Sequence, residues 1–182
     1  MNTNRRTARP AARQYGVTLV EMAVVCCVAA VLAGVAIPSF RQAAERRHVE
    51  GAAAQLETDF QYARSLAVAR SEVVRVGFET ASGESCYVVH TGNAGDCACA
   101  GHSAPVCRGS AVPLHTAKLV GVPVRLQSNS RSVGFEPVLG MVTPTATVQV
   151  VGTSGAAVHQ IINVMGRVRS CTPNGVPGYK AC

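Results

Sequence analysis

The chain has 182 residues, which is enough for an N-terminal segment followed by one domain with its own core. It contains four Phe, four Tyr and no Trp, so the composition excludes an aromatic-rich core and favours aliphatic strands packed on a helix. The formal net charge of +7 permits an anionic partner without requiring one, because four arginines precede Gly16 and the remainder is only mildly basic.

The first predicted element is an apolar helix from Val17 to Ile37. Its roughly 21 residues would extend about 31 Å, which is close to the thickness of the hydrocarbon core of a bilayer. The positive-inside rule keeps the preceding arginines in the cytoplasm and places the remainder of the chain outside. Glu21 is unusual in such a span, because an ionised side chain there is energetically costly and is normally retained for a partner.

The sequence GVTLVE at residues 16–21, followed by the apolar run to Pro38, resembles the class III signal of type IV pilins and pseudopilins. The resemblance implies that prepilin peptidase cleaves between Gly16 and Val17 and methylates the new amine, with which Glu21 of a neighbouring subunit then pairs. It also implies a single-pass protein of the bacterial inner membrane with a periplasmic C-terminal domain, which later enters a pilus at the cell surface beside other pilins. Val17 departs from the Phe or Met that is usual in the family. Without the resemblance, the segment is an ordinary single-span anchor.

The helical pattern continues beyond Pro38, which should kink or loosen the helix locally because it has no N–H to donate. Apolar residues then recur at spacings of four and three and form one stripe, which consists of Ala52, Leu56, Phe60, Ala63 and Ala67. We therefore expect one helix from Val17 to Ser71. Its membrane half would end at residue 38, and its second half, residues 39–71, would pack on the domain.

Residues 72–182 are predicted to form a domain rich in β-strands. The predicted strands are short, rich in Val, and separated by Gly, Pro, Ser or Asn: Val73–Phe78, Cys86–Val89, Val122–Gln127, Arg131–Phe135, Thr145–Val151, Val158–Val164 and Arg167–Cys171. The stretch Thr91–Thr116 shows no hydrophobic periodicity and is predicted to be a long loop cross-linked by disulfides. A helix followed by several strands predicts an α+β fold with a mainly antiparallel β-sheet.

Three further stretches resemble the GspH/FimT pseudopilin family. Ala63–Glu72 running into Val73–Phe78 is similar to the family's helix-to-strand junction, and Phe135-Glu136-Pro137 with Gly140 is similar to its central strand and turn. Gly166-Arg167-Val168-Arg169 resembles the Gly-Arg-x-Arg motif of FimT-type minor pilins. In those proteins the motif belongs to a DNA-binding surface used in natural transformation, so the resemblance implies a minor pilin that binds extracellular DNA.

The residues of this motif support the interpretation physically. Residues two apart in a strand share a face, so Arg167 and Arg169 should project together while Val168 points oppositely, with Ile162 and Val164. Each guanidinium can bind phosphate oxygens in a forked geometry, and Gly166 can adopt a backbone conformation that exposes the pair. The alternative is a solvated edge strand whose arginines discourage aggregation.

Three other basic residues, Lys180, Arg131 and Arg125, are candidate additional DNA contacts if the fold brings them near the motif. The expected partner is double-stranded DNA, bound through its backbone without sequence preference. Single strands are not expected, because the sequence offers no aromatic platform on which bases could stack.

Six cysteines follow the apolar segment, and outside the cytoplasm they are expected to form disulfides: Cys86, Cys97, Cys99, Cys107, Cys171 and Cys182. Cys171 and Cys182 are predicted to pair, because the stretch between them is rich in turn residues. The pairing of the other four stays open. Cys26 and Cys27 lie within the apolar segment and act there as small apolar residues.

No metal, cofactor or catalytic site is expected. Cys97-x-Cys99-x-x-His102 with Cys107 has suitable ligand types for zinc, but its spacing matches no common zinc pattern. A catalytic cysteine with His90, His115 or His159 has no supporting motif, and the sequence contains neither a Gly-x-Ser-x-Gly elbow nor a phosphate loop.

Two non-enzymatic functions therefore remain. The first is a minor type IV pilin that binds DNA for uptake. The second is a structural subunit that does not bind DNA, either a minor pseudopilin of a type II secretion system or a minor pilin that primes pilus assembly.

Overall fold

The computed structural model describes residues 16–81, 84–99 and 103–182. The predicted leader up to residue 15 and His102 lie outside these ranges. The described chain contains one α-helix, α1 (Leu19–Arg70), and twelve β-strands. In chain order the strands are β1 (Val74–Ala81), β2 (Glu84–Thr91), β3 (Cys97–Ala98), β4 (Val106–Cys107), β5 (Pro113–Leu119), β6 (Val124–Ser128), β7 (Ser132–Phe135), β8 (Val142–Thr143), β9 (Ala146–Gly152), β10 (Ala157–Ile162), β11 (Val168–Thr172) and β12 (Lys180–Ala181). The chain divides into two compact units between Phe40 and Arg41, and each is described by itself.

The N-terminal unit is the apolar beginning of α1. Thr18 caps the helix, because its Oγ1 accepts a hydrogen bond from the Glu21 N–H at 3.2 Å. The helix continues through Pro38 without interruption. By length and composition it could cross a membrane, since the mean hydropathy reaches 2.5 over an 18-residue window of which no part is buried within the protein.

The part of α1 in the second unit buries a stripe of apolar side chains at spacings of three and four. The buried apolar residues are Val49, Ala53, Leu56, Phe60, Ala63 and Ala67, whereas Ala52 of the predicted stripe is only partly buried. The helix ends at Arg70, one residue before the predicted end, because Ser71 adopts a left-handed φ of 54°. The Glu72 N–H then bonds the Ala67 carbonyl and the Ser71 N–H bonds the Val68 carbonyl, which is a Schellman cap.

The strands form two five-stranded sheets and one short ribbon. Sheet I has the order β5-β2-β1-β7-β8, sheet II has the order β12-β11-β10-β9-β6, and β3 pairs with β4. All pairs are antiparallel except β11–β12, which is parallel. A long N-terminal helix followed by mainly antiparallel sheets confirms the predicted α+β fold.

One core joins the buried face of α1 to the inner faces of both sheets. Phe60 of α1 lies at its centre, with ring centroids 6.1 Å from Phe78 and 6.4 Å from Phe135. Aliphatic residues supply the remainder, with Val74, Val76, Val89 and Val133 from sheet I and Val124, Leu126, Val148, Val150, Val158 and Ile162 from sheet II. The core is therefore built mainly from small aliphatic residues, as the composition indicated.

The interpretation of Thr91–Thr116 as a loop was wrong in part, because this stretch contains β3, β4 and the first half of β5. The two-residue strands β3 and β4 are joined by the Cys97–Cys107 disulfide, and β5 is an edge strand that begins with a proline. A second disulfide, Cys86–Cys99, fastens the segment to β2. The segment covers the outer face of sheet I, which explains why Val88 and His90 are buried although Tyr87 and Val89 face the core.

Candidate nucleic-acid interface

The Gly-Arg-x-Arg stretch begins in the tight turn that joins β10 to β11. The Asn163 N–H bonds the Arg167 carbonyl at 3.1 Å, the Gly166 N–H bonds the Asn163 carbonyl at 2.9 Å, and the Arg167 N–H bonds Asn163 Oδ1 at 2.9 Å. Gly166 has a φ of +71°, which favours glycine. It is also buried, and a Cβ at this position would run into the Gly140 carbonyl. Gly166 therefore shapes the turn that presents the arginines.

Arg167 and Arg169 are both exposed, and Val168 between them packs partly against the core. Arg169 lies in β11 opposite Ile161 of β10, and Arg167 lies immediately before the strand. Val164, which the sequence placed with Ile162 on the inner face, is 53% exposed instead. The reason is that β10 ends at Ile162, so Val164 belongs to the turn.

The face of sheet II opposite the core, which we call the outer face, can be assigned from the alternation of the strands. Val168 packs on the core, and Ser170 Oγ donates to Glu57 of α1 at 2.7 Å, so Arg169 and Cys171 must point outward. Cys182 shares this face because it forms a disulfide with Cys171, the pair that the sequence predicted.

Lys180 joins Arg169 on the outer face. It is two residues from Cys182 in the chain and pairs with Cys171 across the parallel β11–β12 ladder. From strand geometry its Cα lies ~8 Å from that of Arg169. Arg167, Arg169 and Lys180 therefore form a cationic cluster at one edge of sheet II.

The two remaining basic candidates lie elsewhere. Arg125 is on the outer face, but it lies in β6 at the opposite edge of sheet II. This strand is three strand spacings from β11, which corresponds to ~14 Å. Arg131 precedes β7 of sheet I, where its carbonyl accepts the Phe78 N–H at 2.9 Å. The fold thus unites Lys180 with the motif, leaves Arg125 at the far edge of the same sheet, and puts Arg131 beside the other sheet.

Sheet II contributes no negative charge to the cationic cluster, and Glu57, which accepts a hydrogen bond from Ser170 beside Arg169, approaches from the opposite face. None of the five strands of sheet II, all of which are described in full, contains Asp or Glu. Within the described residues, no carboxylate forms an ion pair with Arg125, Arg167, Arg169 or Lys180. Between the cations, the outer face carries the polar side chains of Gln127, Thr147, Gln149 and His159 and the apolar side chains of Val151 and Ile161. The four cations are therefore available to an external anion.

Arg64 is a further basic residue at this site, and sequence analysis assigned it no role. Its side chain reaches from α1 to the two adjoining turns, where Nη2 lies 3.5 Å from the Leu139 carbonyl. A Cβ added at Gly140 would come within 2.7 Å of Arg64 Nε, and one at Gly166 within 3.2 Å. Nothing local in the sequence could indicate this contact, because Arg64 and Gly166 are about a hundred residues apart and meet only in the folded domain.

The residues assigned to processing and assembly lie at the start of α1. Gly16 and Val17 precede the helix and are exposed. Glu21 is in the first turn, and its backbone N–H donates to Thr18 Oγ1. Thr18 and Glu21 also have the spacing of a capping box. A carboxylate near the positive N-terminal end of a helix dipole is also favourable, so Glu21 has a local role besides the pairing that the resemblance implies.

The cysteines considered as zinc ligands are bound to other sulfurs. Cys97 pairs with Cys107 and Cys99 pairs with Cys86, so these thiolates are not available to a metal in the oxidised protein. His159 Nδ1 lies 3.7 Å from Cys182 Sγ, which is also in a disulfide. The free cysteines of the described chain, Cys26 and Cys27, lie in the apolar part of α1.

Comparison with known proteins places this fold among pilin-like proteins. Two crystal structures of the type IV minor pilin FimU from Pseudomonas aeruginosa PAO1 are similar: one has a TM-score of 0.53 at 17% identity over 72% of this chain and 97% of FimU. The other has a TM-score of 0.51 at 16% identity over 70% of this chain and 98% of FimU. No curated protein matches the chain.

Residues 52–166, more than half of the chain, match the family described as type II transport protein GspH, although the match stops before Arg167. The chain therefore belongs to the GspH family.

Proposed function

We propose that this protein is a minor type IV pilin that binds extracellular double-stranded DNA for uptake in natural transformation. The observation that carries the proposal is the cationic cluster of Arg167, Arg169 and Lys180 on a sheet without acidic residues. Guanidinium groups bind phosphate oxygens in a forked geometry, and the ammonium group of Lys180 adds a point charge.

Binding through this cluster would be weak for each subunit and independent of sequence. Contacts with phosphates position a protein on the duplex but carry no sequence information. Three or four such contacts are a small footprint, so uptake would depend on further DNA-binding subunits or on retraction of the filament. Arg125 would add a contact only for a duplex that lies across the whole outer face.

The proposal includes the maturation of a pilin. Prepilin peptidase would remove residues 1–16, residues 17–38 would anchor the protein in the inner membrane, and residues 39–182 would lie in the periplasm before incorporation beside other pilins. Glu21 would pair with the amine of the adjacent subunit. Intact-mass analysis of protein from membranes should show a chain that begins at Val17, and a chain that retains Arg13 would contradict this step.

The experiment that tests DNA binding is a mobility-shift titration of the full-length protein in detergent with a short duplex. Changing Arg167 and Arg169 to Gln keeps hydrogen-bonding side chains of moderate length and removes two charges, so the variant should bind several-fold more weakly. Arg131→Gln is the matched control, because Arg131 is beside sheet I, and this variant should bind like the parent. Equal binding by the parent and the double variant would refute the site.

A structural role without DNA is the second candidate. It is favoured by the family match, which covers residues 52–166 and leaves out the two arginines on which DNA binding rests. In that case the protein would prime a pilus or a type II secretion pseudopilus, and the parent would not shift the duplex at low salt. Deletion of the gene would then impair filament assembly or secretion. Complementation with the Arg167→Gln, Arg169→Gln double variant would restore either activity fully.

A further inference from the structure

The turn between β10 and β11 carries two large apolar side chains at its tip. Val164 is 53% exposed and Met165 is 58% exposed. The central positions of tight turns usually hold Gly, Asn, Asp or Ser, which suit the backbone and tolerate water. Two exposed apolar side chains there indicate a contact outside the domain.

The tip is held firmly in place. Besides the hydrogen bonds of the turn itself, the Val142 N–H donates to the Val164 carbonyl at 2.8 Å. Gly166 packs on the carbonyl of Gly140, and Arg64 fills the space beneath both turns. A rigid projection loses little conformational freedom on binding, which favours affinity.

The apolar tip is continuous with the cationic cluster. Met165 is two residues before Arg167, so their Cα atoms are at most about 7 Å apart. On the other side, a shallow groove connects Val164 to Ile161, which is 39% exposed and lies opposite Arg169. An apolar strip of Ile161, Val164 and Met165 therefore runs beside the arginines.

We propose that Met165 is an apolar wedge that enters the minor groove of a bound duplex and partly unstacks a base step, while Arg167 and Arg169 hold the flanking phosphates. This inference rests on the proposed DNA binding and specifies its mode. A phosphate bound by Arg167 lies at the edge of a groove about 6 Å wide, within reach of Met165. Apolar side chains, Met among them, are inserted in this way by proteins that bind the minor groove.

The geometry selects the minor groove over the major one. The major groove admits a whole two-stranded ribbon, but β9 pairs with β10 as far as Ile162, so the β10–β11 ribbon does not stand free of sheet II. Met is unbranched and flexible, which lets it adapt to any base step. Charge also favours a polyanion such as DNA over a neutral or basic protein surface, because the strip is bordered by Arg64, Arg167 and Arg169.

The test uses the full-length protein in detergent and duplexes that carry 2-aminopurine, whose fluorescence rises when it is unstacked. Met165→Gln keeps the length of the side chain and removes its apolar end, and should weaken binding roughly tenfold, the effect of burying most of one such side chain. The log–log salt slope should stay unchanged, because apolar contacts release no counterions. The fluorescence rise seen with the parent should be lost.

Two matched substitutions complete the experiment. Val164→Thr should weaken binding about two- to fivefold, while Val106→Thr, the same change at an exposed valine of the ribbon that covers sheet I, should have no effect.

If Met165→Gln binds and unstacks DNA like the parent, the wedge proposal is wrong, but the proposed DNA-binding site is not affected. The wedge would also be overturned if this variant bound DNA normally but was lost from sheared filaments, since the tip would then contact another pilin. A parent that fails to bind the duplex at low salt would instead refute the proposed function itself.

Discussion

At the scale of single residues, the carboxylate of Asp59 is buried between α1 and sheet I and therefore needs polar partners. Asp59 Oδ2 accepts a 2.5 Å hydrogen bond from the Tyr87 hydroxyl, and Gln55 Nε2 lies 3.1 Å from the same oxygen. His115 Nε2 is 3.4 Å from Asp59 Oδ2 but forms no hydrogen bond with it. Burial, together with the bond to Asp59, raises the pKa of Tyr87 well above its usual range.

We expect Tyr87→Phe to lower the free energy of unfolding by about 1.5–3 kcal/mol, because it removes a hydrogen bond to a buried charged group. Tyr62→Phe, an exposed position on α1, is the control and should change little. Since the folded pKa of Tyr87 is raised, its stabilising contribution is present below pH ~10 and declines above it. Denaturation at several pH values should show this alkaline decline in the parent and its reduction in Tyr87→Phe. A variant as stable as the parent would contradict the assignment.

Gly166 is the residue on which the candidate site depends most. Gly166→Ala should destabilise the domain by more than the ~1 kcal/mol expected for a left-handed φ alone, because the new Cβ meets the Gly140 carbonyl. Gly155→Ala is a matched control, since Gly155 has a φ of +90° with open space around it. Thermal unfolding of both variants should rank Gly166→Ala as the less stable. Similar losses in the two would mean that the contact between the turns is unimportant.

At the scale of elements, the cationic cluster depends on the short strand β12. This two-residue strand is held by its pairing with β11 and by the Cys171–Cys182 disulfide. The disulfide covers a sequence separation of 11 residues and fixes Lys180 beside Arg169.

Cys182→Ser should therefore lower stability by ~2–3 kcal/mol and release β12. If Lys180 contributes one phosphate contact, the log–log salt slope of DNA binding should become shallower by about one unit. Cys99→Ser, which opens the Cys86–Cys99 bridge on sheet I, is the control: it should reduce stability without changing the slope. An unchanged slope in Cys182→Ser would remove Lys180 from the interface.

The sequence allowed most elements to be predicted, but not how they come together. Strands β1, β6, β9, β10 and β11 were identifiable because alternating Val-rich runs bounded by turn residues are a local pattern. Strand β5 was missed because it starts at a proline, and β3 and β4 were missed because a disulfide rather than a pattern defines them. The prediction that Arg167 and Arg169 project together rests on strand alternation, although Arg167 lies just before β11 rather than in it. Arg131 could not be placed, since nothing local shows which sheet a strand will join, and the support that Arg64 gives to the turn is likewise non-local.

At the scale of the whole molecule, the chain combines a minor-pilin fold with two regions of different chemistry. The apolar start of α1 is suited to a membrane or to a helical assembly, and the domain from Arg41 onward carries the cationic cluster. If these regions act independently, assembly and DNA binding should be separable by substitution.

Glu21→Ala is expected to leave membrane insertion intact, because removing a charge makes insertion easier. It should reduce the amount of protein in sheared filaments several-fold, while the purified variant binds DNA like the parent. Thr18→Val is the control for loss of the helix cap, and we expect it to retain most of the incorporation. Normal amounts of Glu21→Ala in filaments would show that the glutamate serves only as part of the cap.

The central claim is that Arg167, Arg169 and Lys180 bind DNA phosphates, and the most direct test is the salt dependence of the dissociation constant. Three phosphate contacts should give the parent a log–log slope of about −3, and the Arg167→Gln, Arg169→Gln variant should retain a slope of about −1 on any duplex sequence. The Arg131→Gln protein should keep the slope of the parent. A double variant whose slope and affinity equal those of the parent, or a parent that does not bind at low salt, would contradict the account.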